Sequence, residues 1–141
     1  MPPSSRSART ARPRPPLQLG MVGLGRMGAN IVRRLMRAGH ECVVFDVNPD
    51  AVATLAAEGA TPATSVDDLA TKLRGPRAVW VMVPAGITSR VIGDVAAALD
   101  AGDVIIDGGN SYYRDDVDRA AELAEQGISF VDVGPSGGVF G

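Results

Sequence analysis

Short apolar runs alternate with amphipathic segments along most of this 141-residue chain. The apolar runs have the length and composition of buried strands, and most of the segments between them have helical periodicity and end at a glycine. The predicted strands are 17–23, 42–46, 78–83, 103–107 and 128–133, and the predicted helices are 26–39, 49–59, 65–75, 87–102 and 114–127. This order predicts an α/β fold in which a parallel sheet carries helices on both faces.

The composition divides the chain into a short tail and one globular domain, 17–141. Residues 1–16 are rich in Pro and Ser, hold four arginines and no acidic residue, and are predicted to be disordered. An organelle transit peptide is the alternative for this tail, but its prolines disfavour an amphipathic helix. The domain carries 10 basic and 16 acidic side chains, so we expect no nucleic-acid partner. No apolar run approaches the roughly 18 residues of a membrane span, so we expect no membrane partner.

Three residue types that often carry chemistry occur once each. The single cysteine, Cys42, lies in an apolar run, excludes an internal disulfide and predicts a reducing, cytoplasmic compartment. The only lysine, Lys72, is predicted to be a solvated surface charge, and the only histidine, His40, to have a structural role after a helix end. No metal site is predicted.

The first predicted helix, 26–39, follows the first predicted strand almost directly. Gly39 stands where a helix C-cap is expected. Four residues fall on one predicted apolar face of this helix: Met27, Ile31, Leu35 and Ala38.

The connection between that strand and that helix, GLGRMG at 23–28, fits the pattern G-x-G-x-x-G. Gly23 suits a tight turn, Gly25 lets the backbone approach a pyrophosphate, and Gly28 lets the helix pack closely on the strand. Amide groups and the helix dipole then favour a bound phosphate. The spacing predicts a Rossmann-type dinucleotide site, and Leu24, Arg26 and Met27 complete the expected contacts. The alternative is a fold that kept the loop without the ligand.

Asp46 ends the second predicted strand, 18 residues after Gly28. A carboxylate at this position is expected to reach the adenosine ribose hydroxyls. It would repel the 2′-phosphate of NADP by about 4 kcal/mol at 4 Å before screening, and no arginine follows to bind that phosphate. The sequence therefore predicts NAD rather than NADP. The alternative for Asp46 is a helix cap or turn residue before Pro49.

Four loops follow predicted strands and should gather at one edge of the sheet: 23–28, 83–86, 107–110 and 134–138. In the third loop, Asn110 offers both a donor and an acceptor to a ligand, and Gly108 and Gly109 leave room for one. A plain Gly-Gly-Asn turn is the alternative. In the fourth loop, Ser136 and its neighbouring amides suit hydroxyls or a carboxylate.

The segments GLGRMGANIVRRLMRAGH, VWVMVPAG, DGGNSYYRDD and FVDVGPSGG resemble the decarboxylating 6-phosphogluconate dehydrogenases. The resemblance runs from Leu17 to Gly141 and is greatest to the short bacterial type that uses NAD. It implies that Asn110 touches both cofactor and sugar acid. Further cofactor contacts implied by it are Val83, Pro84 and Ala85, and further substrate contacts are Ser136, Gly137 and Gly138. Pro135 departs from the family, which more often has threonine there, and removes a backbone donor beside the substrate loop.

The resemblance also implies a reaction and a missing part. The family oxidises 6-phosphogluconate at C3 with NAD, releases carbon dioxide and protonates the resulting enediol to ribulose 5-phosphate. Its lysine and glutamate acid–base pair and its helical domain lie beyond Gly141, so the chain is expected to be an inactive N-terminal fragment, with no catalytic residue and a sheet truncated before its last strands. The full-length enzyme is expected to be a homo-oligomer acting on a sugar-acid phosphate.

Two other functions remain open on the sequence. A β-hydroxyacid dehydrogenase would share the phosphate loop and the SGG segment, but such enzymes usually have a Ser-Thr pair in place of GGNS. A non-catalytic dinucleotide-binding module would share the loop without any chemistry.

Overall fold

The strands of the computed structural model, which describes residues 17–108 and 113–133, form one six-stranded sheet. Every neighbouring pair is parallel. The strands are β1 (Gln18–Val22), β2 (Glu41–Phe45), β3 (Thr61–Pro62), β4 (Ala78–Val81), β5 (Val104–Asp107) and β6 (Ser129–Asp132). The helices are α1 (Arg26–Arg37), α2 (Pro49–Ala57), α3 (Val66–Lys72), α4 (Thr88–Ala98) and α5 (Tyr113–Glu125). The predicted α/β fold with a parallel sheet is confirmed.

The strand order β3-β2-β1-β4-β5-β6 reverses direction between β1 and β4. From β1 the chain builds outward through β2 to β3, and it then returns to the other side of β1 to build β4, β5 and β6. A reversal of this kind opens a crevice at the carboxyl ends of the two central strands, where ligands of doubly wound sheets bind. The phosphate loop predicted from the sequence begins at that point.

Both faces of the sheet are buried, as the uninterrupted apolar strands predict. On β2, Cys42 and Val44 pack with one cluster that includes side chains of α1 and α2. Val43, between them, packs with the opposite cluster, which includes side chains of α3, α4 and α5. The strand therefore lies between two helical layers, which is why it shows no polar alternation.

Helix ends follow the signals in the sequence. The side chain of Asn48 accepts a hydrogen bond from Asp50 N at 3.0 Å and caps α2. Ser65 Oγ accepts from Asp68 N at 2.9 Å and caps α3, as predicted. At the end of α1, Gly39 adopts φ +92°, a conformation that L side chains rarely adopt, and its N–H bonds to Met36 O at 3.0 Å.

All five predicted helices end two to four residues earlier in the structure, two of them by more than two residues, and one strand was missed. The helix predicted over 87–102 ends at Ala98, because Leu99 is extended and Asp100 N donates to Asp103 Oδ2 at 2.8 Å. The helix predicted over 65–75 ends at Lys72. The missed strand is β3, whose two residues, one of them a proline, are too short to give a periodic signal.

The predicted inward face of α1 is only partly correct. The fully buried residues of this helix are Gly28 and Val32, whereas Met27 is 50% exposed. Gly28 brings the helix backbone against β1, so the contact line passes through positions 28 and 32. The Met27 side chain is thereby left partly exposed beside the phosphate loop.

Cys42, His40 and Lys72, each the only residue of its type in the chain, all make contacts that support the fold. Cys42 is buried, and burial raises the pKa of its thiol to about 11, so it is not a reactive thiolate at neutral pH. His40 Nδ1 accepts from Leu17 N at 3.0 Å. Lys72 Nζ donates to Pro62 O at 2.8 Å and pairs with Asp68 at 3.1 Å, which ties α3 to β3. Among the described residues, no helix has both the length and the apolar character needed to cross a membrane.

A buried carboxylate organises the opposite, amino-terminal edge of the sheet. Asp103 is 3% exposed and accepts hydrogen bonds from Arg77 N, Arg77 Nε and Asp100 N at 2.7–3.0 Å. Burial raises the pKa of Asp103. Hydrogen bonds from the N–H groups of Arg77 and Asp100, together with the charge of the Arg77 guanidinium, lower the pKa by more than burial raises it. The net pKa therefore lies below its ordinary value of 3.8. The ionised form is therefore the one that stabilises the fold.

We predict that Asp103→Ala lowers the free energy of unfolding by about 3 kcal/mol, because it leaves the Arg77 guanidinium without its buried partner. Asp100→Ala is the matched control: its side chain also pairs with Arg77 but is 88% exposed, so the loss should stay within about 1 kcal/mol. Urea unfolding of the two variants measures both values. Equal losses would contradict the central role of Asp103.

The same pair predicts a pH dependence. Because the folded-state pKa is depressed, the contribution of Asp103 is fully present above the unfolded value and is lost as the pH falls through the lower folded value. The stability difference between wild type and Asp103→Ala should therefore shrink in acid.

Candidate cofactor site

Backbone hydrogen bonds beyond the strand ends align the loops at the carboxyl edge of the sheet. Gly23 N donates to Phe45 O at 2.9 Å, and Met82 N donates to Val22 O at 2.8 Å. Gly108 N donates to Val81 O at 3.0 Å. The segments that follow β1, β2, β4 and β5 thus start side by side, as the sequence predicted.

Two glycines set the close packing of the phosphate loop. Gly23 has φ +102°, and a Cβ added there would collide with the backbone carbonyl of Met82. A Cβ at Gly28 would collide with the carbonyl oxygen of Gly23. Both positions therefore require glycine for packing, in the roles that the motif predicts.

Gly25 differs from these two glycines because it faces open space. A Cβ added there would meet no atom of the described residues within 4 Å, and its φ of −66° is accessible to any residue. Gly25 is also the N-cap of α1 but offers no side-chain oxygen to the helix start. The first intrahelical bond runs from Ala29 N to Gly25 O at 2.9 Å, so the amides of Arg26 and Met27 have no intrahelical acceptor. An anion placed beside Gly25 would meet these amides and the positive end of the helix dipole.

Asp46 lies directly after β2 and holds the phosphate loop. Its Oδ2 accepts from Leu24 N at 2.6 Å, and its Oδ1 accepts from Asn48 N at 2.8 Å. Of the alternative for Asp46, the cap is wrong, since Asn48 caps α2, whereas the turn is present, because the Asp46 side chain accepts from the backbone N–H two residues on. Asp46 is half-buried and stands at the edge of the crevice that begins at Gly23.

Beside Asp46 lies an apolar groove of about 820 Å³. Its walls come from the end of β2, from α2 and from the segment after β3. The lining includes Phe45, Val47, Val52, Pro62, Ala63 and Thr64. Val47 is 87% exposed, unusual for a valine, at the groove mouth. The volume is in the range of small-molecule sites. Sequence reasoning missed this groove because part of its wall follows β3, the strand without a sequence signal.

The segment after β4 forms the other side of the phosphate loop. Val83 Cγ1 would lie 3.1 Å from a Cβ at Gly23, so its side chain contacts the loop. Pro84 O accepts from Ile87 N at 3.0 Å and from Thr88 Oγ1 at 3.1 Å, which fixes the turn into α4. Ala85 begins the short 3-10 helix Ala85–Ile87 of that turn. Of the three residues predicted here, Val83 therefore contacts the loop, and Pro84 and Ala85 follow it in the turn into α4.

An ion pair anchors the end of β5. Asp107 is fully buried, and Arg119 Nη1 lies 3.9 Å from its Oδ2. The Arg119 guanidinium also donates to Ser89 Oγ and lies 5.9 Å from the centre of the Phe130 ring. Asp107 ends β5 and Arg119 lies in α5, so this pair joins the strand to the helix that follows it in the chain.

One expectation at this end of the sheet is corrected. Gly108 was expected to leave room for a ligand, but a Cβ there would collide with Trp80 Nε1 and Met82 Sδ. Its missing side chain makes room for the protein's own core. Sequence reasoning could not identify these neighbours, because they come from a different strand.

Part of the predicted site lies outside the described residues. These positions are Gly109, Asn110, Pro135, Ser136, Gly137 and Gly138. The structure brings Asp46 and Val83 against the loop Gly23–Gly28 at the carboxyl edge of the sheet. Among the residues it describes, no group of three or more His, Cys, Asp or Glu side chains is arranged to hold a metal ion.

Comparison with known proteins agrees with this geometry. The family model described as the NAD binding domain of 6-phosphogluconate dehydrogenase matches residues 18–141, which include the whole crevice. The chain belongs to this family. A 6-phosphogluconate dehydrogenase of Haloferax volcanii, described as NAD(+)-dependent and decarboxylating, is 44% identical over 126 residues, covering 89% of this chain and 41% of the relative.

Solved structures show the same fold. A 3-hydroxyisobutyrate dehydrogenase of Mycobacterium tuberculosis superposes with a TM-score of 0.75 at 26% identity, covering 84% of this chain and 40% of that one. A 6-phosphogluconate dehydrogenase of Plasmodium falciparum gives 0.74 at 23% identity, covering 80% of this chain and 26% of that one. The two scores are nearly equal, so the fold does not separate the two kinds of dehydrogenase. Membership in the 6-phosphogluconate dehydrogenase family rests on the sequence match.

We predict that Gly28→Ala lowers the free energy of unfolding by about 1–3 kcal/mol, because the new methyl group collides with Gly23 O. Gly25→Ala adds the same methyl group in open space and should change stability by less than about 1 kcal/mol. Thermal or urea unfolding compares them directly. A Gly28→Ala variant as stable as Gly25→Ala would mean that α1 does not pack on β1 as described.

Proposed function

We propose that this chain is the NAD-binding part of an NAD-dependent, decarboxylating 6-phosphogluconate dehydrogenase. The observation that carries the proposal is the open space at Gly25, which lies between two glycines with fully packed surroundings. A loop kept only for folding would have no reason to leave its middle glycine and the first amides of α1 facing outward. Family membership supplies the chemistry that this site would serve.

The described residues fit each part of the dinucleotide. The start of α1 suits the pyrophosphate, and the carboxylate of Asp46 suits the adenosine ribose hydroxyls. The apolar groove beside Asp46 suits the adenine ring, and Val83, Pro84 and Ala85 lie on the path toward the nicotinamide. Asn110 is proposed to touch both cofactor and sugar acid.

Charge around the ribose site favours NAD over NADP. Asp46 is an acceptor pointed at the loop, and it would repel a 2′-phosphate. The next two residues in the chain are Val47 and Asn48, and neither is a basic side chain that could bind that phosphate. The Haloferax relative is described as NAD(+)-dependent, in agreement with this preference.

The proposed reaction is that of the family: oxidation of 6-phosphogluconate at C3, loss of carbon dioxide and protonation to ribulose 5-phosphate. NAD, when bound, accepts the hydride. Ser136, Gly137 and Gly138 are proposed to hold the sugar acid. Lys72 is not proposed as the proton-transferring lysine, because it is engaged with Pro62 and Asp68 on the surface.

The organisation of the protein follows from the same proposal. We infer that 17–141 forms the cofactor domain. The chain spans 41% of the Haloferax relative's length. We expect a cytoplasmic, homo-oligomeric full-length enzyme, and we expect 1–141 alone to bind NAD without turnover.

Binding tests the function directly. We predict that this chain binds NAD more tightly than NADP, and that Gly25→Val binds neither, because the new side chain occupies the pyrophosphate position. Gly93→Val is the control, since Gly93 in α4 also faces open space but lies away from the crevice. The chain's only tryptophan, Trp80, lies at the carboxyl edge of the sheet, so its fluorescence provides a titration signal. Retained NAD binding by Gly25→Val, or tighter binding of NADP by wild type, would refute the corresponding assignment.

Asn110 is tested in the full-length enzyme. We predict that Asn110→Ala lowers turnover of 6-phosphogluconate by about a hundredfold, because the sugar acid loses its alignment with the nicotinamide, while NAD affinity changes little. Asn30→Ala is the matched control, since Asn30 lies exposed on α1 and contacts only Arg33 among the described residues. Unchanged turnover would leave Asn110 as a plain turn residue.

Product analysis in the same assay separates the two dehydrogenase functions. Carbon dioxide and ribulose 5-phosphate support the proposal, and a simple keto acid without carbon dioxide supports a β-hydroxyacid dehydrogenase.

A further inference from the structure

We propose that Asp46 is a positioning residue that holds the phosphate-binding loop in its binding geometry, in addition to any contact with the ribose. The inference rests on the proposed function, because it concerns how the same site binds a diphosphate. It assigns to one carboxylate two effects on binding that can be measured separately.

The first observation is that Asp46 contacts the chain directly after the pairing between β1 and β2. The last backbone bond of this pairing runs from Gly23 N to Phe45 O at 2.9 Å. The next residue, Leu24, donates its N–H at 2.6 Å to Oδ2 of Asp46, the residue that follows β2. A hydrogen bond to a charged acceptor is stronger than one between neutral groups. The carboxylate thus fixes the loop at the residue directly before Gly25.

The second observation concerns the other carboxylate oxygen. Asp46 Oδ1 accepts from Asn48 N at 2.8 Å, and the Asn48 side chain in turn caps α2. Asp46 therefore connects the loop that leads into α1 with the residue that starts α2. Movement of Leu24 would have to break a hydrogen bond to a side chain that is itself held in place.

The third observation is that, among the described residues, few other contacts hold the backbone at Leu24 and Gly25. Gly25, the next residue, has no side chain and would meet nothing within 4 Å even with a Cβ. Leu24 is 6% exposed and packs in the core, which fixes its side chain but not the direction of its N–H. The Leu24 amide is committed to Asp46, so the amides presented to a phosphate are those of the first turn of α1. Because Asp46 binds the Leu24 amide, that amide has a structural role, and the amides after it in the loop remain available to bind a phosphate.

The two roles predict opposite effects on a ligand without ribose hydroxyls. If Asp46 only binds the ribose, its removal should leave affinity for such a diphosphate unchanged or raise it, because a negative charge is removed from beside an anion. If Asp46 positions the loop, its removal should lower that affinity, because the binding amides lose their alignment. The sign of the change therefore separates the roles.

The experiment measures binding of ADP and of 2′,3′-dideoxy-ADP to this chain and to its Asp46→Ala and Asp46→Asn variants. The two ligands share the diphosphate and differ only in the ribose hydroxyls. We expect Asp46→Ala to bind dideoxy-ADP about tenfold more weakly than wild type, the loss that corresponds to one charge-assisted hydrogen bond. ADP should lose more, since it also loses the ribose contact. Asp46→Asn keeps one acceptor oxygen and should recover part of the affinity for dideoxy-ADP.

Asp50→Ala is the matched control. Asp50 is exposed in the first turn of α2, and its backbone rather than its side chain makes the hydrogen bonds seen there. The substitution removes the same charge close to the site without touching the loop. It should leave affinity for dideoxy-ADP unchanged or slightly higher, which gives the purely electrostatic effect.

Hydrogen exchange supplies a readout without ligand. The Leu24 amide should be protected in wild type and in Asp50→Ala, and it should exchange at least tenfold faster in Asp46→Ala. Circular dichroism verifies that each variant is folded. Should Asp46→Ala be unfolded, Asp46→Asn carries both measurements.

Each outcome has one meaning. Weaker binding of dideoxy-ADP together with faster Leu24 exchange supports the proposal. Binding of dideoxy-ADP equal to or tighter than wild type, with loss confined to ADP, overturns it and leaves Asp46 as a ribose ligand only. Failure of wild type to bind ADP, dideoxy-ADP and NAD would overturn the proposed function itself and this inference with it.

Discussion

The close approach of α1 to β1 is the constraint on which the site depends. Gly28 lies against the carbonyl of Gly23, and Gly23 lies against the carbonyl of Met82, so a helix, a strand end and the neighbouring β4 segment meet without side chains between them. Contact between backbones places the start of α1 directly at the crevice. It also leaves Gly25 facing space that no described residue fills. Packing thus creates both the position and the opening of the site.

Hydrogen bonding across the carboxyl edge turns separate loops into one surface. Backbone bonds that continue past the strands align Gly23, Met82 and Gly108 with their neighbours. Directly after β2, the carboxylate of Asp46 adds a further link to this edge, because it accepts a hydrogen bond from Leu24 N. A side chain that would serve a ribose in the proposed function is therefore also part of the framework.

Two buried carboxylates lie at opposite edges of the sheet, and each meets an arginine. Asp103 at the amino edge receives three hydrogen bonds from Arg77 and Asp100, so its charge is well compensated. Asp107 at the carboxyl edge has Arg119 at the longer distance of 3.9 Å. The tight pair lies away from the proposed site and holds the turns between elements. The second pair lies at the end of β5, on the carboxyl edge of the sheet.

The sequence by itself determined the order of strands and helices, the glycine loop, the carboxylate of Asp46 at the end of the second strand, and the helix caps at Ser65 and Gly39. All of these depend on local periodicity and turn chemistry. Only the tertiary structure decided which neighbours those residues meet. It showed that Gly108 makes room for Trp80 and Met82, that Val32 rather than Met27 lies on the buried line of α1, and that a groove forms beside the short β3. Such contacts join residues far apart in the chain, and their geometry follows from how helices and strands pack rather than from any local pattern. The hydrogen bond from Leu24 to Asp46 is of the same kind: the sequence marked the carboxylate, and the parallel pairing of β1 with β2 decided what it holds.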